Sequence, residues 1–303
     1  MKEPFDSTET FDSSYIYNSI KSKKNIIWPK ILVLLSIIFI SLIIISIIII
    51  RTSITEFEEN KIEINCEYYI ESPQEINILS KDFENISNIS IYIGKDLVQY
   101  NIKHKFNKKG TFKVTYVLNK FLKMENMFKN VQNLKTVNIS AEKGSFHFSL
   151  SRAFSNCTNL KQFYSNINPK NLNNLTYMFM NCTSLEKVYF ENFGDAGKDL
   201  SHMFENCQNL KNLDLSNFKT NNTLNMSYMF SDCQNIEKID ISSFNISQIK
   251  DMSFMFFNCK NLENLNKNDF FIPNNNTIIT GMFKNCNKLL NIPEWYYKKE
   301  QNK

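Results

Sequence analysis

The chain is poor in the residues that carry chemistry. Only 3 of its 303 residues are histidine. His104, His147 and His202 stand apart, with no serine, cysteine or carboxylate at a recurring spacing, so the pattern argues against a nucleophile-and-base site and no enzyme is expected. The 7 cysteines contain no Cys-x-x-Cys pair and no Cys/His cluster, which argues against a metal centre; no cofactor is expected. The net charge of +5 is diffuse, without a basic run beyond the flank of one apolar segment, so nucleic acid is not an expected partner.

That apolar segment, residues 31–50, lacks charge altogether. At ~1.5 Å per helical residue it spans the ~30 Å hydrocarbon core of a bilayer. A cleaved signal peptide would have a shorter apolar core, about 7–15 residues, ending in small residues; this run is longer and stops at Ile50-Arg51. An uncleaved signal-anchor helix is therefore expected, with the lipid bilayer as its partner. Lys21, Lys23, Lys24 and Lys30 precede it, whereas Arg51 and Lys61 come after it among Glu56, Glu58 and Glu59. The positive side stays cytoplasmic. The expectation is a single-pass protein of the plasma membrane or cell surface, N-terminus inside, with residues 1–30 a disordered cytosolic tail and residues 51–60 a stalk. Within the tail, Tyr17 to Ile20 matches a tyrosine-based sorting signal, a pattern short enough to arise by accident.

Residues 61–122 read as a small all-β module. Runs at Lys61 to Ile70, Ile89 to Ile93, Leu97 to Phe106 and Thr111 to Leu118 alternate as strands do, with hairpin turns expected at Gly94-Lys95 and at Asn107 to Gly110. Its place directly before a repeat array suggests a cover for the open end of that array.

Residues 123–292 are the repeats. Cys157, Cys182, Cys207, Cys233, Cys259 and Cys286 recur every 25 to 27 residues, each with Phe three positions before (Phe154 to Phe283) and Leu or Ile three positions after (Leu160 to Leu289). A seventh copy nearer the N-terminus, around Met127, Phe128 and Leu134, has Val131 in place of cysteine. Such a period marks a solenoid. The stretch Leu210 to Leu215 ends with strand alternation. Met226, Met229 and Phe230, like Met252, Met255 and Phe256, have the i, i+3, i+4 spacing of a helix. The expected fold is an α/β solenoid, a leucine-rich-repeat-like array of about seven coils, closed by a C-terminal cap or tail at 293–303. The motif Met-Phe-x-x-Cys-x-x-Leu-x-x-Leu-Asp-Leu-Ser-x-Phe, Met203 to Phe218, resembles the repeat of BspA-like leucine-rich-repeat surface proteins. That resemblance implies a surface protein with an adhesive role and brings no catalytic residues.

Stacked cysteines would fall within the about 4.4–6.8 Å Cα window of a disulfide. Equivalent side chains point the same way, however, and the column opens with Val131, so buried free thiols fit better, with some pairing left open; Cys66 stands alone in its module. The Met and Phe stripe reads as core. Between the strand hydrophobics, Asn138, Tyr164, Tyr189, Asp214, Asp240 and Asn266 form one outward column on the expected concave face, and Thr136, Gln162, Lys187, Asn212, Lys238 and Asn264 its neighbour. Tyr164 and Tyr189 are candidate interface anchors, with a solvated surface pair as the plain alternative. Glycosylation sequons occur at Asn85, Asn88, Asn138, Asn174, Asn221, Asn225, Asn245 and Asn275, and at Asn156 and Asn181 beside buried cysteines.

Three functions fit: adhesion to or recognition of an extracellular protein or glycan; a structural coat component packing on copies of itself; and a receptor signalling through its short tail.

Overall fold

The computed structural model describes residues 33–51, 61–84, 89–119, 123–141, 149–167, 174–191, 194–265, 276–290 and 292–301. They divide into two compact units, residues 1–58 and 59–303. In the first, α1 (Val33–Arg51) is a 19-residue helix, none of it buried, long and apolar enough by length and composition to cross a membrane. Ser36, Ser41 and Ser46 turn their hydroxyls back to the carbonyls of Val33, Ile38 and Leu42, so these donors are satisfied within the helix. The tail, the stalk, Asn85, Asn88, His147, Asn266 and Asn275 lie outside the described residues.

The second unit opens with strands β1 (Lys61–Ile70), β2 (Gln74–Asn77), β3 (Ile89–Ile93), β4 (Asp96–Val98), β5 (Lys103–Phe106) and β6 (Gly110–Asn119). Along β1 every second residue, Ile62, Ile64, Cys66, Tyr68 and Ile70, is buried, the two-residue period of a half-buried strand. β1 and β6 pair antiparallel over their whole length, β6 continues to β3, and β3 to β4. The turn between β3 and β4 contains the left-handed Gly94. Two expectations need correction. The run Leu97 to Phe106 breaks into two strands in different sheets, and Asn107 to Gly110 is no hairpin, because β5 pairs with β2.

The repeats add β7 (Leu134–Ala141), β8 (Gln162–Ser165), β9 (Lys187–Phe190), β10 (Gly194–Asp195), β11 (Asn212–Asp214), β12 (Phe218–Lys219), β13 (Lys238–Asp240) and β14 (Asn264–Leu265). β7 lies antiparallel against the free side of β1, and β8 and β9 join in parallel, so one 7-stranded sheet, β4-β3-β6-β1-β7-β8-β9, runs from the module into the repeats. β11, β13 and β14 form a separate 3-stranded parallel sheet. Each coil's first strand amide reaches the previous coil: Lys187 donates to Lys161, Lys238 to Lys211 and Asn264 to Glu237. Among the described residues the equivalent bond from Asn212 to the Glu186 carbonyl is missing, and there the sheet divides.

The segments before the cysteines are turns, not helices. In the coil around Cys233, the amides of Met229, Ser231 and Cys233 bond inward to Met226, Tyr228 and Phe230, while those of Tyr228, Phe230 and Asp232 donate to Ser253, Met255 and Phe257 of the next coil. A helix would spend every amide within itself. Sharing alternate amides with the neighbour requires a left-handed residue at two places per coil, here Tyr228 and Asp232 with φ of 57° and 59°. The apolar spacing that reads as helical is the inward side of consecutive turns. The bridges Asn174↔Asp199↔Asn225↔Asp251↔Ile278 mark about four full turns. The fold is therefore a β-solenoid of about four turns, not an α/β leucine-rich array of seven coils.

Its core is a column of rings. Phe128, Phe154, Phe179, Phe204, Phe230, Phe256 and Phe283 stack with centroids 5.4–5.6 Å apart, each buried ring contributing about 1.5–3 kcal/mol. Beside it, the thiols of Cys157, Cys182, Cys207, Cys233, Cys259 and Cys286 donate to the carbonyls of Phe128, Phe154, Phe179, Phe204, Phe230 and Phe256 at 2.9–3.2 Å. This accounts for Val131: no preceding coil offers it a carbonyl. All 7 cysteines are free and buried. At the far end α2 (Glu294–Gln301) sets Tyr296 against Phe283 at 5.2 Å and lets Lys299 donate to the Thr277 carbonyl at 2.7 Å.

Candidate functional site

Strand alternation carries Phe163, Leu213 and Ile239 inward and their neighbours outward. Register then sets Thr136, Gln162 and Lys187 in one row and Asn138, Tyr164 and Tyr189 in the next. The tyrosine rings stack 5.4 Å apart and 13° from parallel. Tyr164 donates its hydroxyl to Glu191 Oε2 at 2.5 Å, and that hydrogen bond to a carboxylate raises its pKa. The lower ring is thereby fixed, and Tyr189 rests on it 50% exposed.

Around this pair the sheet face forms an open groove of about 580 Å³ lined also by Asn65, Glu67 and Lys113. Those three belong to the β-module and are brought in because β1 pairs with β7, Asn65 opposite Asn138 and Glu67 opposite Thr136. Asn65 accepts the Thr115 hydroxyl at 2.7 Å. Alternation in β1 already turns these residues outward; the pairing that places them beside the repeats is a long-range contact with no local sequence signal.

The remaining predicted residues lie elsewhere. Asp214 stands opposite Asp240, and Asn212 opposite Lys238, in the separate sheet. Both aspartates accept the amide two residues on, from Ser216 and Ser242, at 2.9 Å, a turn-stabilising use. Asn212 lines a second cavity, about 650 Å³, with Glu186, Lys187, Asn209, Lys211 and Asn235, over the place where the sheet divides. The sequons differ in setting. Asn138 is exposed on β7. Asn174 and Asn225 accept the amides of Thr176 and Ser227 at 2.8 and 3.0 Å, and both hydroxyl residues are buried. Asn221 precedes buried Thr223 by two, whose hydroxyl donates to Gly197 at 2.7 Å. Asn245 and its Ser247 are both exposed.

A second aromatic column was not foreseen as a unit. Tyr177, His202, Tyr228 and Phe254 stack at 4.5–4.9 Å. Arg152 lies 4.5 Å over Tyr177 at one end. At the other, Phe254 fills the space over Gly281, where a Cβ would meet its ring at 2.5 Å. These positions are left-handed, φ 55–60°. Every ring face between the ends is covered by a neighbour. His202 Nδ1 meets Glu205 at 2.7 Å, and His104 packs edge-on to Phe106. Among the described residues no group of three or more His, Cys, Asp or Glu could hold a metal.

A sequence family described as Mycoplasma protein of unknown function, DUF285, matches residues 98–193 and again 195–295. The chain belongs to this family. No curated protein and no solved structure matches it. The match shows DUF285 membership and not the BspA-like family, and the described coils lack the helical arm of an α/β leucine-rich repeat. The two DUF285 segments meet between β9 and β11, where the sheet divides. Asn65 and Glu67 precede the first segment, so this chain completes its groove with residues from outside the family match.

Proposed function

We propose that this is a single-pass surface protein, N-terminus cytoplasmic, whose β-solenoid recognises an extracellular protein or glycan through the sheet face around Tyr164 and Tyr189, without catalysis. The observation that carries the reading is the tyrosine stack, in which Glu191 fixes the Tyr164 hydroxyl and Tyr189 stands half exposed beside it. Rigid, half-exposed aromatic side chains offer large contact area at little entropic cost. The apolar helix α1, with lysines before it, supports the anchoring.

The test is binding of the full chain, displayed on cells, to ligand-bearing cells or matrix. Changing Tyr164 and Tyr189 together to Ser is expected to weaken binding about tenfold or more with little change in melting. The same change at Tyr177 and Tyr228 should lower melting and leave binding of the folded fraction intact. Equal effects of both pairs on binding would overturn the site, and self-association in place of ligand binding would favour the coat reading. Protease added to intact cells should remove the solenoid and spare an N-terminal tag.

A further inference from the structure

The groove's chemistry narrows what it takes, an inference that rests on the site proposed above. Its apolar lining residues Val137 and Phe163 are each 2% exposed, so the floor has no pocket for an aliphatic or aromatic anchor of the kind that dominates protein interfaces. The backbone beneath is committed as well. β1, β7, β8 and β9 are paired side by side, with one register shift between Glu67 and Tyr68, leaving the groove no strand edge on which a peptide could add by β-augmentation. The unpaired side of β9 faces the next coil.

What the groove offers is one flat ring face and a rim of polar side chains. One face of Tyr164 is covered by Tyr189 at 5.4 Å; the strand order turns its other face towards Asn138 and the groove, and among the described residues no ring stacks on it there. Around it stand the amides of Asn138 and Gln162, the ammonium of Lys187 and the carboxylate of Glu67. Amides and carboxylates offer paired acceptors and donors suited to vicinal hydroxyls, and an aromatic face suits the C–H side of a sugar ring. The charges nearly cancel: Lys113 and Lys187 oppose Glu67 and Glu191. That balance disfavours a phosphate or a strongly anionic polymer. A volume of about 580 Å³ is in the range of small-ligand sites.

We infer that the groove of Tyr164, Tyr189, Asn138, Gln162, Lys187 and Glu67 is a saccharide site for a neutral oligosaccharide, one pyranose ring lying on the face of Tyr164 turned towards Asn138. Tyr189 acts as its support, and the module residue Glu67 closes the rim.

The experiment uses the full chain in phospholipid nanodiscs, free of glycosidic detergent. An array of neutral and acidic oligosaccharides is screened, with chitohexaose and maltohexaose then measured by saturation-transfer NMR. Fibronectin and collagen serve as protein ligands. The expected result is binding of at least one neutral oligosaccharide, with transfer strongest to ring C–H protons. Tyr164→Ala should weaken it about tenfold or more, Tyr164→Phe should retain it, and Tyr177→Ala should not affect it. Binding of fibronectin or collagen but of no saccharide, abolished by Tyr164→Ala, would overturn the ligand class and leave the groove standing. Saccharide binding that survives Tyr164→Ala in folded protein would overturn the groove itself, and binding of neither probe set would overturn both.

Discussion

The two edges of the solenoid are built on opposite plans. On the turn edge every coil is tied to the next by alternate backbone amides, the phenylalanine column and the thiol-to-carbonyl bonds. An asparagine ladder adds to them, in which Asn156 donates to Asn130, Asn181 to Asn156 and Asn206 to Asn181 at 2.8 Å. Nothing interrupts these contacts at the junction of the two family segments: the Cys207 thiol still donates to the Phe179 carbonyl, and the Phe179 amide to the Met203 carbonyl, across it. On the strand edge the ladder stops there. The aromatic columns repeat the contrast. Tyr177 to Phe254 is closed at both ends and costs left-handed backbone at each rung, about 1–2 kcal/mol apiece, partly offset by stacking of about 0.5–1.5 kcal/mol per pair. Tyr164 and Tyr189 carry no such strain and leave one face open. The turn edge holds register, and the strand edge is free to present side chains.

The largest test of that division is alkaline pH. Burial raises the thiols of Cys157, Cys233 and Cys286 from an ordinary value of 9.0 to about 12, and holds Cys66, Cys182, Cys207 and Cys259 well above it. With folded values above the unfolded one, the stability conferred by protonation is whole below pH 9.0 and is lost as pH rises towards 12. Each thiol costs about 1.4 kcal/mol per pH unit in that window, so several kcal/mol should be gone at about pH 10. Denaturant midpoints across this range check it. A flat profile would mean that the thiols ionise in place and the turn edge is open to water.

A smaller effect distinguishes the thiol's hydrogen bond from its bulk. Cys207→Val keeps the site apolar, as Val131 does in the first coil, adds one methyl group and removes a donor to the Phe179 carbonyl, which retains only the Cys182 amide. The expected loss is about 0.5–1.5 kcal/mol. Val131→Cys should bring no gain, since no preceding coil presents a carbonyl. Equal stability of Cys207→Val and the parent would reduce the column to packing alone.

The sequence disclosed the array, its core and its outward rows, because a repeated contact repeats its residues. Leu213 and Ile239 face inward as their alternation requires, and Tyr164 meets Tyr189 because equal spacing keeps rungs aligned. The helical reading failed where two structures share one apolar spacing. The deciding signal was the residue before Val131 and before each repeat cysteine: Asn130, Asn156, Asn181, Asn206, Asp232, Asn258 and Asn285, all left-handed and of the types that tolerate that region best. The join of β1 to β7, and with it half the groove rim, is a pairing between distant segments that no local pattern encodes.

The finest test concerns the division of the sheet. In the coils on either side, Lys187 and Lys238 place their amides on the preceding carbonyl, whereas among the described residues the Asn212 amide makes no such bond, and Asn212 lines a cavity of about 650 Å³. Hydrogen exchange tracks local opening and the protection each bond gives. The Asn212 amide should therefore exchange measurably faster than those of Lys187 and Lys238, while the turn amides of Phe179 and Asn181, which donate to Met203 and Glu205 across the junction on the other edge, stay protected. Backbone-resolved exchange of the full chain in nanodiscs reads this directly. If Asn212 is as slow as Lys238, the sheet is continuous in solution and the two edges do not differ as argued. If Phe179 and Asn181 are fast as well, the whole junction opens and the turn edge does not hold the family segments together.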